Sequence, residues 1–68
     1  MSKSLVKSQA EYLTTGVVAQ LCGVSKVTVL RWIKKGHLNA FRLPEGHYRI
    51  NTKDFSKFVV KYKIPLDL

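Results

Sequence analysis

Cationic side chains recur at helical spacing in the middle of the sequence. Lys26, Arg31 and Lys34 fall on one side of a helix that has 3.6 residues per turn. A lysine ammonium suits phosphate oxygens, and an arginine guanidinium can donate two hydrogen bonds to the O6 and N7 atoms of guanine. This spacing indicates recognition of a polyanion, with Arg31 reading a base and the two lysines on phosphates.

Three more basic side chains flank a predicted turn further along the chain. Arg42 precedes Pro44-Glu45-Gly46, and His47 and Arg49 follow it. Two extended runs, over 39–43 and 47–50, around a Pro/Gly turn predict a β-hairpin. Because side chains alternate between the faces of a strand, we expect Arg42, His47 and Arg49 to point together and reach a minor groove or its phosphates. The alternative is a solvated, charged strand.

The chain as a whole is small and basic. It has 68 residues, with 12 Lys and Arg against 4 acidic residues and a formal net charge of +8. A domain of this size buries only about 60% of the surface that its unfolded chain exposes, so its large apolar side chains are needed in the core. The charge indicates a polyanionic partner, nucleic acid first, with an acidic membrane surface or an acidic protein as alternatives.

Membrane insertion and secretion have no support in the sequence. No apolar stretch approaches the roughly 20 residues that span a bilayer. The N-terminal residues lack the apolar segment of a secretory signal. We therefore expect a cytoplasmic protein that does not bind membranes.

Catalysis and metal binding are equally unsupported. Cys22 is the single cysteine, and with His37 and His47 it falls short of a zinc site. No nucleophile and base are plausibly paired, because the acidic residues are far apart along the chain: Glu11, Glu45, Asp54 and Asp67. We expect no enzyme, no metal, no cofactor and no small-molecule ligand.

Capping residues and glycines divide the basic region into two helices. Thr15 is the predicted N-cap of a helix over 16–22, which Gly23 ends in a left-handed conformation. Ser25 is the predicted N-cap of a second helix over 26–35, which Gly36 ends in the same way. Two helices joined by so short a turn form a helix-turn-helix.

The two helices need a shared apolar side. Ala19 is the small residue expected at their crossing. The predicted inward positions around it are Val18, Cys22, Val24, Val29 and Trp32, with Leu21 and Ile33 as core neighbours. The outer face then belongs to the second helix, whose candidate DNA contacts are Ser25, Lys26, Val27, Thr28, Leu30, Arg31 and Lys34.

Three of these candidates have alternative interpretations. Val27 and Leu30 either touch thymine methyl groups or cover the edge of the core. Thr28 either donates to a phosphate or serves in capping and packing.

The remaining elements complete a small domain. Residues 12–14 form a short extended piece, and Asn51 or Thr52 caps a third helix over 53–62. Its apolar stripe, which we expect in the core, is Phe55, Phe58, Val59 and Tyr62. The predicted fold is mainly α with a small β-hairpin, a winged helix-turn-helix of three helices plus a wing.

Residues 13–25 (LTTGVVAQLCGVS), Thr28-Val29, Arg31-Trp32 and residues 41–50 (FRLPEGHYRI) resemble the excisionase-type branch of the MerR-like winged-helix proteins. The resemblance covers about residues 12 to 60. It implies that the second helix enters the major groove of duplex DNA and that the wing, over 40–50, contacts the minor groove or backbone. The family positions carried over are Lys26, Val27, Leu30 and Arg31 on the helix and Arg42, His47 and Arg49 on the wing.

The chain departs from these relatives in two respects. Tyr48, also a candidate wing contact, stands where they often carry arginine, which removes a charge. The dimerisation helix and effector domain of full MerR-type regulators are absent from the sequence. We therefore expect a DNA-binding domain over 11–63, a flexible arm over 1–10, and a tail or linker over 64–68.

The sequence is compatible with several roles. The resemblance fits a transcriptional regulator, or the DNA-binding module of one, and equally an excisionase-like architectural protein of phage or mobile-element recombination. We expect a monomer when the chain is alone, with several copies on adjacent DNA sites or fusion to a further domain as possibilities. A basic module for an acidic protein or for RNA is the alternative of another class, with Tyr48 or Phe41 as stacking rings.

Overall fold

The structure, a computed structural model, describes residues 12–66. Within them the chain forms β1 (Tyr12–Thr14), α1 (Thr15–Cys22), α2 (Lys26–Lys34), β2 (Phe41–Arg42), β3 (Tyr48–Asn51) and α3 (Thr52–Tyr62). The winged helix-turn-helix expected from the sequence is confirmed, with three helices and a small antiparallel hairpin. The predicted arm over 1–10 and the last two residues of the predicted tail lie outside the described residues.

Each helix begins at a side-chain cap. The Oγ of Ser25 accepts from the amide N–H of Thr28 at 3.2 Å, and the Oδ1 of Asn51 accepts from that of Lys53 at 2.8 Å. The predicted cap of α1 is wrong by one residue, because Thr14 and not Thr15 accepts from the amide of Val17. Thr14 ends β1 and therefore has the extended backbone that a cap needs.

All three helices end in the same hydrogen-bonded reversal, the Schellman motif. The amide of Val24 donates to the carbonyl of Ala19 at 2.9 Å, and that of His37 donates to Trp32 at 2.9 Å. At the end of α3 the amide of Ile64 donates to Val59 at 3.1 Å. The predicted second helix is one residue too long, because α2 ends at Lys34 with Lys35 as its cap.

The three strands form one antiparallel sheet in the order β1-β3-β2. The hairpin was predicted, but its first strand is only Phe41–Arg42, and its second extends to Asn51. Pairing of β1 with β3 was not predicted. It places Leu13 opposite Ile50, and both side chains pack into the core.

The core lies between the helices and one face of the sheet. Its buried side chains are Val18, Ala19, Val29, Leu38, Ile50, Phe55 and Phe58. The predicted inward residues Cys22, Val24 and Trp32 are half-buried against this core, as are the predicted neighbours Leu21 and Ile33.

The core differs from the prediction at both of its margins. Leu38, which follows the reversal after α2, and Ile50 of β3 were not predicted as core, yet both are fully buried. Tyr62 is not a core residue as predicted, because it lies in the last turn of α3 and leaves 42% of its surface exposed.

No helix among residues 12–66 is by itself long and apolar enough to cross a membrane. The pair α1 and α2 meets the criteria of length and composition only when taken together, and the two are bent by 109°.

Lys63 has a left-handed backbone, with φ of 53°, where the other two reversals use glycine. A side chain in this conformation costs roughly 1–2 kcal/mol, which glycine avoids. We expect Lys63→Gly to be more stable than Lys63→Ala by about 1 kcal/mol, measured by urea unfolding. Both variants lose the same charge, so equal stabilities would contradict strain at this residue.

Candidate nucleic-acid interface

The turn between α1 and α2 sets the geometry of the candidate interface. Gly23 has φ of 68°, and the space where its Cβ would stand is open. Glycine is favoured here for its backbone alone, since an L side chain is strained at this φ. The angle of 109° between the helices lies within the range of DNA-binding helix-turn-helix motifs.

The outer face of α2 is exposed as its helical period predicts. Val29 is fully buried and fixes the rotation of the helix, while Lys26, Arg31 and Lys34 lie in solvent together with the cap Ser25. These cations stand at the surface that a recognition helix presents to a groove.

Val27 and Leu30 differ in their surroundings. Val27 leaves 61% of its surface exposed. Leu30 is half-buried and lies outside the core cluster. Core covering therefore does not account for these two residues, and they form an apolar strip on the cationic face.

Thr28 is tied to the cap of its own helix. It is half-buried, and its Oγ1 lies 3.2 Å from the Oγ of Ser25, so the two hydroxyls share a hydrogen bond. This contact with the capping residue favours the capping and packing interpretation of Thr28, and a phosphate contact by the same residue stays a prediction.

Lys26 lies across the first turn of α1. A Cβ built on Gly16 would stand 3.2 Å from the Cε of Lys26 and 3.7 Å from its Nζ. Because Gly16 has no side chain, the side chain of Lys26 can extend across α1 at this point. Sequence reasoning missed this pairing, because the two residues are ten positions apart and belong to different helices.

The register of the hairpin corrects the predicted orientation of the wing. Arg42 is paired with Tyr48, and Phe41 is paired with Arg49. Residues directly opposite each other share a face. Arg42 therefore lies on the same face as Tyr48, and the prediction that it points with Arg49 is wrong.

The turn of the hairpin explains this register. The amide of Gly46 donates to the carbonyl of Leu43 at 2.8 Å, and that of Leu43 donates to the carbonyl of His47 at 2.7 Å. Gly46 has φ of 105°, so the hairpin gains one left-handed residue after the tight turn. Such a residue shifts the alternation of the second strand, which residue counting across the turn did not include.

Arg42 and His47 do come together, in a cleft between the wing and α2. The cleft has a volume of about 330 Å³. Its lining residues come from α1, α2 and the wing: Thr15, Leu30, Lys34, Arg42, Gly46, His47 and Tyr48. The guanidinium carbon of Arg42 lies 5.9 Å from the centre of the Tyr48 ring, within the range of a cation–π contact. We call this site the wing cleft.

Arg49 occupies the opposite face of the sheet. Its Nη1 donates to the carbonyl of Tyr48 at 3.0 Å, and the side chain is half-buried. The exposed rings of Tyr12 and Phe41 meet edge to face on this side, with 5.3 Å between their centres. Arg49 therefore presents its charge away from the wing cleft.

Burial raises the pKa of the Cys22 thiol, which lowers its thiolate fraction and its reactivity near neutral pH. Among residues 12–66 no group of three or more His, Cys, Asp or Glu side chains is placed to hold a metal ion.

Residues 12–60, from β1 into α3, match the protein family described as Helix-turn-helix domain. The match covers more than half of the chain, and the chain belongs to this family. The family is a class of DNA-binding domain, so DNA is the partner. Comparison with curated proteins and with solved structures gives no match.

Replacing Gly16 by Ala should separate stability from DNA binding. Alanine favours a helix over glycine by roughly 0.5–1 kcal/mol, so we expect the free energy of unfolding to rise. The new Cβ would press on Lys26 and move its ammonium, so we expect affinity for duplex DNA to fall a few-fold. Both effects are measured on one preparation, by urea unfolding and by fluorescence anisotropy with a labelled duplex.

The control for this experiment is the same change in a Lys26→Ala background. The stability gain should persist there, while the affinity loss should disappear. An equal affinity loss with and without the lysine would refute the coupling of the two residues.

Proposed function

We propose that this chain binds double-stranded DNA in a sequence-specific manner, with α2 in the major groove and the wing over 40–50 at the minor groove or the backbone. The wing cleft carries this proposal. It combines cationic side chains of both elements, Lys34 from α2 with Arg42 from the wing, beside the exposed outer face of α2. Cations from α2 and from the wing border the same cleft. This arrangement suits the phosphate backbone of DNA, which runs between the major and the minor groove.

The outer face of α2 supplies the base contacts in this proposal. Arg31 is exposed and reads guanine through two parallel hydrogen bonds. Val27 and Leu30 form the apolar strip beside it, which suits thymine methyl groups. Lys26 and Lys34 contact phosphates, as do Ser25 and Thr28 through the hydroxyls at the start of the helix.

The wing contributes charge in two directions. Arg42 and His47 contact a phosphate in the wing cleft, and Tyr48 holds the arginine through its ring. Arg49 contacts the backbone from the other face of the sheet. The DNA-binding domain of this proposal is the segment 11–63.

The resemblance to MerR-like and excisionase-type proteins supports a more specific role. We place the chain first as a transcriptional regulator, or the DNA-binding module of one. An excisionase-like architectural protein, with several copies on adjacent sites, is the second candidate.

Selection of bound duplexes from a random pool tests the main proposal. We expect one preferred sequence, and Arg31→Ala should relax the preference at one base pair and cost roughly 1–3 kcal/mol of binding free energy. Lys61→Ala is the matched control, because this lysine lies at the far end of α3. An unchanged preference in Arg31→Ala would refute the docking geometry.

The selected sequences also separate the two roles. A single isolated site would support a regulator module, whereas tandem sites filled by several copies would support the architectural candidate.

The salt dependence of binding should report the number of phosphate contacts. Besides Arg31, which we assign to a base, we assign phosphate contacts to five cations. Lys26, Lys34 and Lys35 belong to α2 and its cap, Arg42 lines the wing cleft, and Arg49 lies on the other face of the sheet. Each phosphate contact contributes about −0.9 to the slope of log affinity against log salt, so we expect a slope of roughly −4 to −5. Lys34→Ala should reduce its magnitude by about 1, and Lys61→Ala should leave it unchanged.

The same titrations include single-stranded DNA and RNA. Groove docking requires a duplex, so equal affinity for a single strand would favour the RNA-binding alternative. A slope near zero would rule out the phosphate contacts.

A further inference from the structure

A second cleft, of about 250 Å³, lies where the ends of α2 and α3 meet. It is lined by Trp32, His37, Phe58, Tyr62 and Ile64. None of these residues lines the wing cleft or the groove along the outer face of α2. We call it the aromatic cleft, and its residues have no role in the proposed DNA contacts.

Rings in mutual contact form much of its wall. The centres of Trp32 and Phe58 are 5.1 Å apart, and those of Phe58 and Tyr62 are also 5.1 Å apart. The ring of His37 meets that of Tyr62 edge to face, and its Nδ1 lies 3.3 Å from the Tyr62 hydroxyl. Contacts of this kind hold the rings in place, so the cleft is formed before anything binds.

The strained Lys63 helps to build this wall. Its left-handed backbone reverses the chain, so that the amide of Ile64 donates to the carbonyl of Val59 and the Ile64 side chain lines the cleft. Strain of this kind is concentrated at functional sites. The strained residue thus lies at the chain reversal that completes the wall of the cleft.

Positive charge borders the cleft on one side. An adjoining depression shares His37 and Phe58 with it and adds Lys57, Lys61 and Asp54 to the lining. The Nζ of Lys61 lies 5.3 Å from the centre of the Tyr62 ring, which places the ammonium at the rim. An apolar hollow next to two lysines complements a ligand that combines one apolar group with negative charge.

We propose that the aromatic cleft binds an acidic segment of a partner protein, with one large apolar side chain seated between the rings and its flanking carboxylates on Lys57 and Lys61. The volume is smaller than the roughly 300–1,000 Å³ of sites that enclose a cofactor or a drug-sized molecule, so a single side chain suits it better. Because the aromatic cleft and the wing cleft share no residue, a partner can bind while DNA is held. The proposal does not depend on how DNA is read.

An amide NMR titration of the full chain tests the proposal. The probe is a short peptide with one central tryptophan between runs of aspartate. We expect shifts at the Trp32 indole, at His37 and along residues 57–66, with the outer face of α2 unaffected. Replacing the probe's tryptophan by serine should weaken binding at least about ten-fold, because the buried apolar area is lost. Replacing its aspartates by asparagine should also weaken it.

Charge-reversal variants of the protein test where the carboxylates of the peptide bind. The double variant K57E/K61E should weaken the peptide at least about five-fold. Lys53→Glu reverses a charge at the other end of the same helix and lines neither depression, so it should have little effect. Unfolding curves show that each variant is folded.

Several results would overturn the proposal. Shifts confined to α2 and the wing would mean that the peptide binds the basic DNA surface. Equal binding of the serine peptide would show that the hollow is not used. Cleft shifts caused by duplex DNA alone, or by raising the protein concentration alone, would assign this surface to nucleic acid or to a second copy.

Discussion

The left-handed turn at Gly23 is the constraint on which the rest of the structure depends. It lets the amide of Val24 return to the carbonyl of Ala19, and α2 then leaves at 109° to α1. Ala19 and Val18 are buried in this corner against Val29. Because Val29 is fully buried, the rotation of α2 about its axis is determined. The residues on the other side of the helix must then face solvent. The cationic face is therefore a consequence of the corner.

The middle strand connects this corner to the wing. β3 pairs with β1 on one side and with β2 on the other, so the hairpin is part of a sheet and not a free arm. Ile50 lies in the core, and Tyr48, two residues earlier, faces the same side beneath Arg42. The burial of Ile50 in the core therefore also fixes the position of Tyr48 in the wing cleft. A chain of this size needs such sharing, because few residues are left for a separate support.

Local chemistry made much of this fold predictable. Caps and glycine stops act over a few residues, so Ser25, Asn51, Gly23 and Gly36 predicted the helices to within a residue or so. Non-local features escaped prediction for the same reason. The choice of Thr14 over Thr15 depends on where β1 ends, the burial of Leu38 follows no period, and the face of Arg42 depends on the register across Gly46. The exposed cations of α2 were predictable because its period is regular, whereas the packing of Lys26 over Gly16 joins two helices.

The wing cleft and the aromatic cleft are lined by different residues of a thin molecule. Its smallest extent is 18 Å, so the buried cluster is a single layer and each helix has both an inner and an outer surface. Arg31 and Trp32 are neighbours in sequence, yet one belongs to the cationic face and the other lines the aromatic cleft, because consecutive helical residues point about 100° apart. A small rotation of α2 would move both surfaces together. The packing of Val29 therefore holds both surfaces in place. When a variant of α2 loses binding at one of these surfaces, binding at the other has to be measured as well.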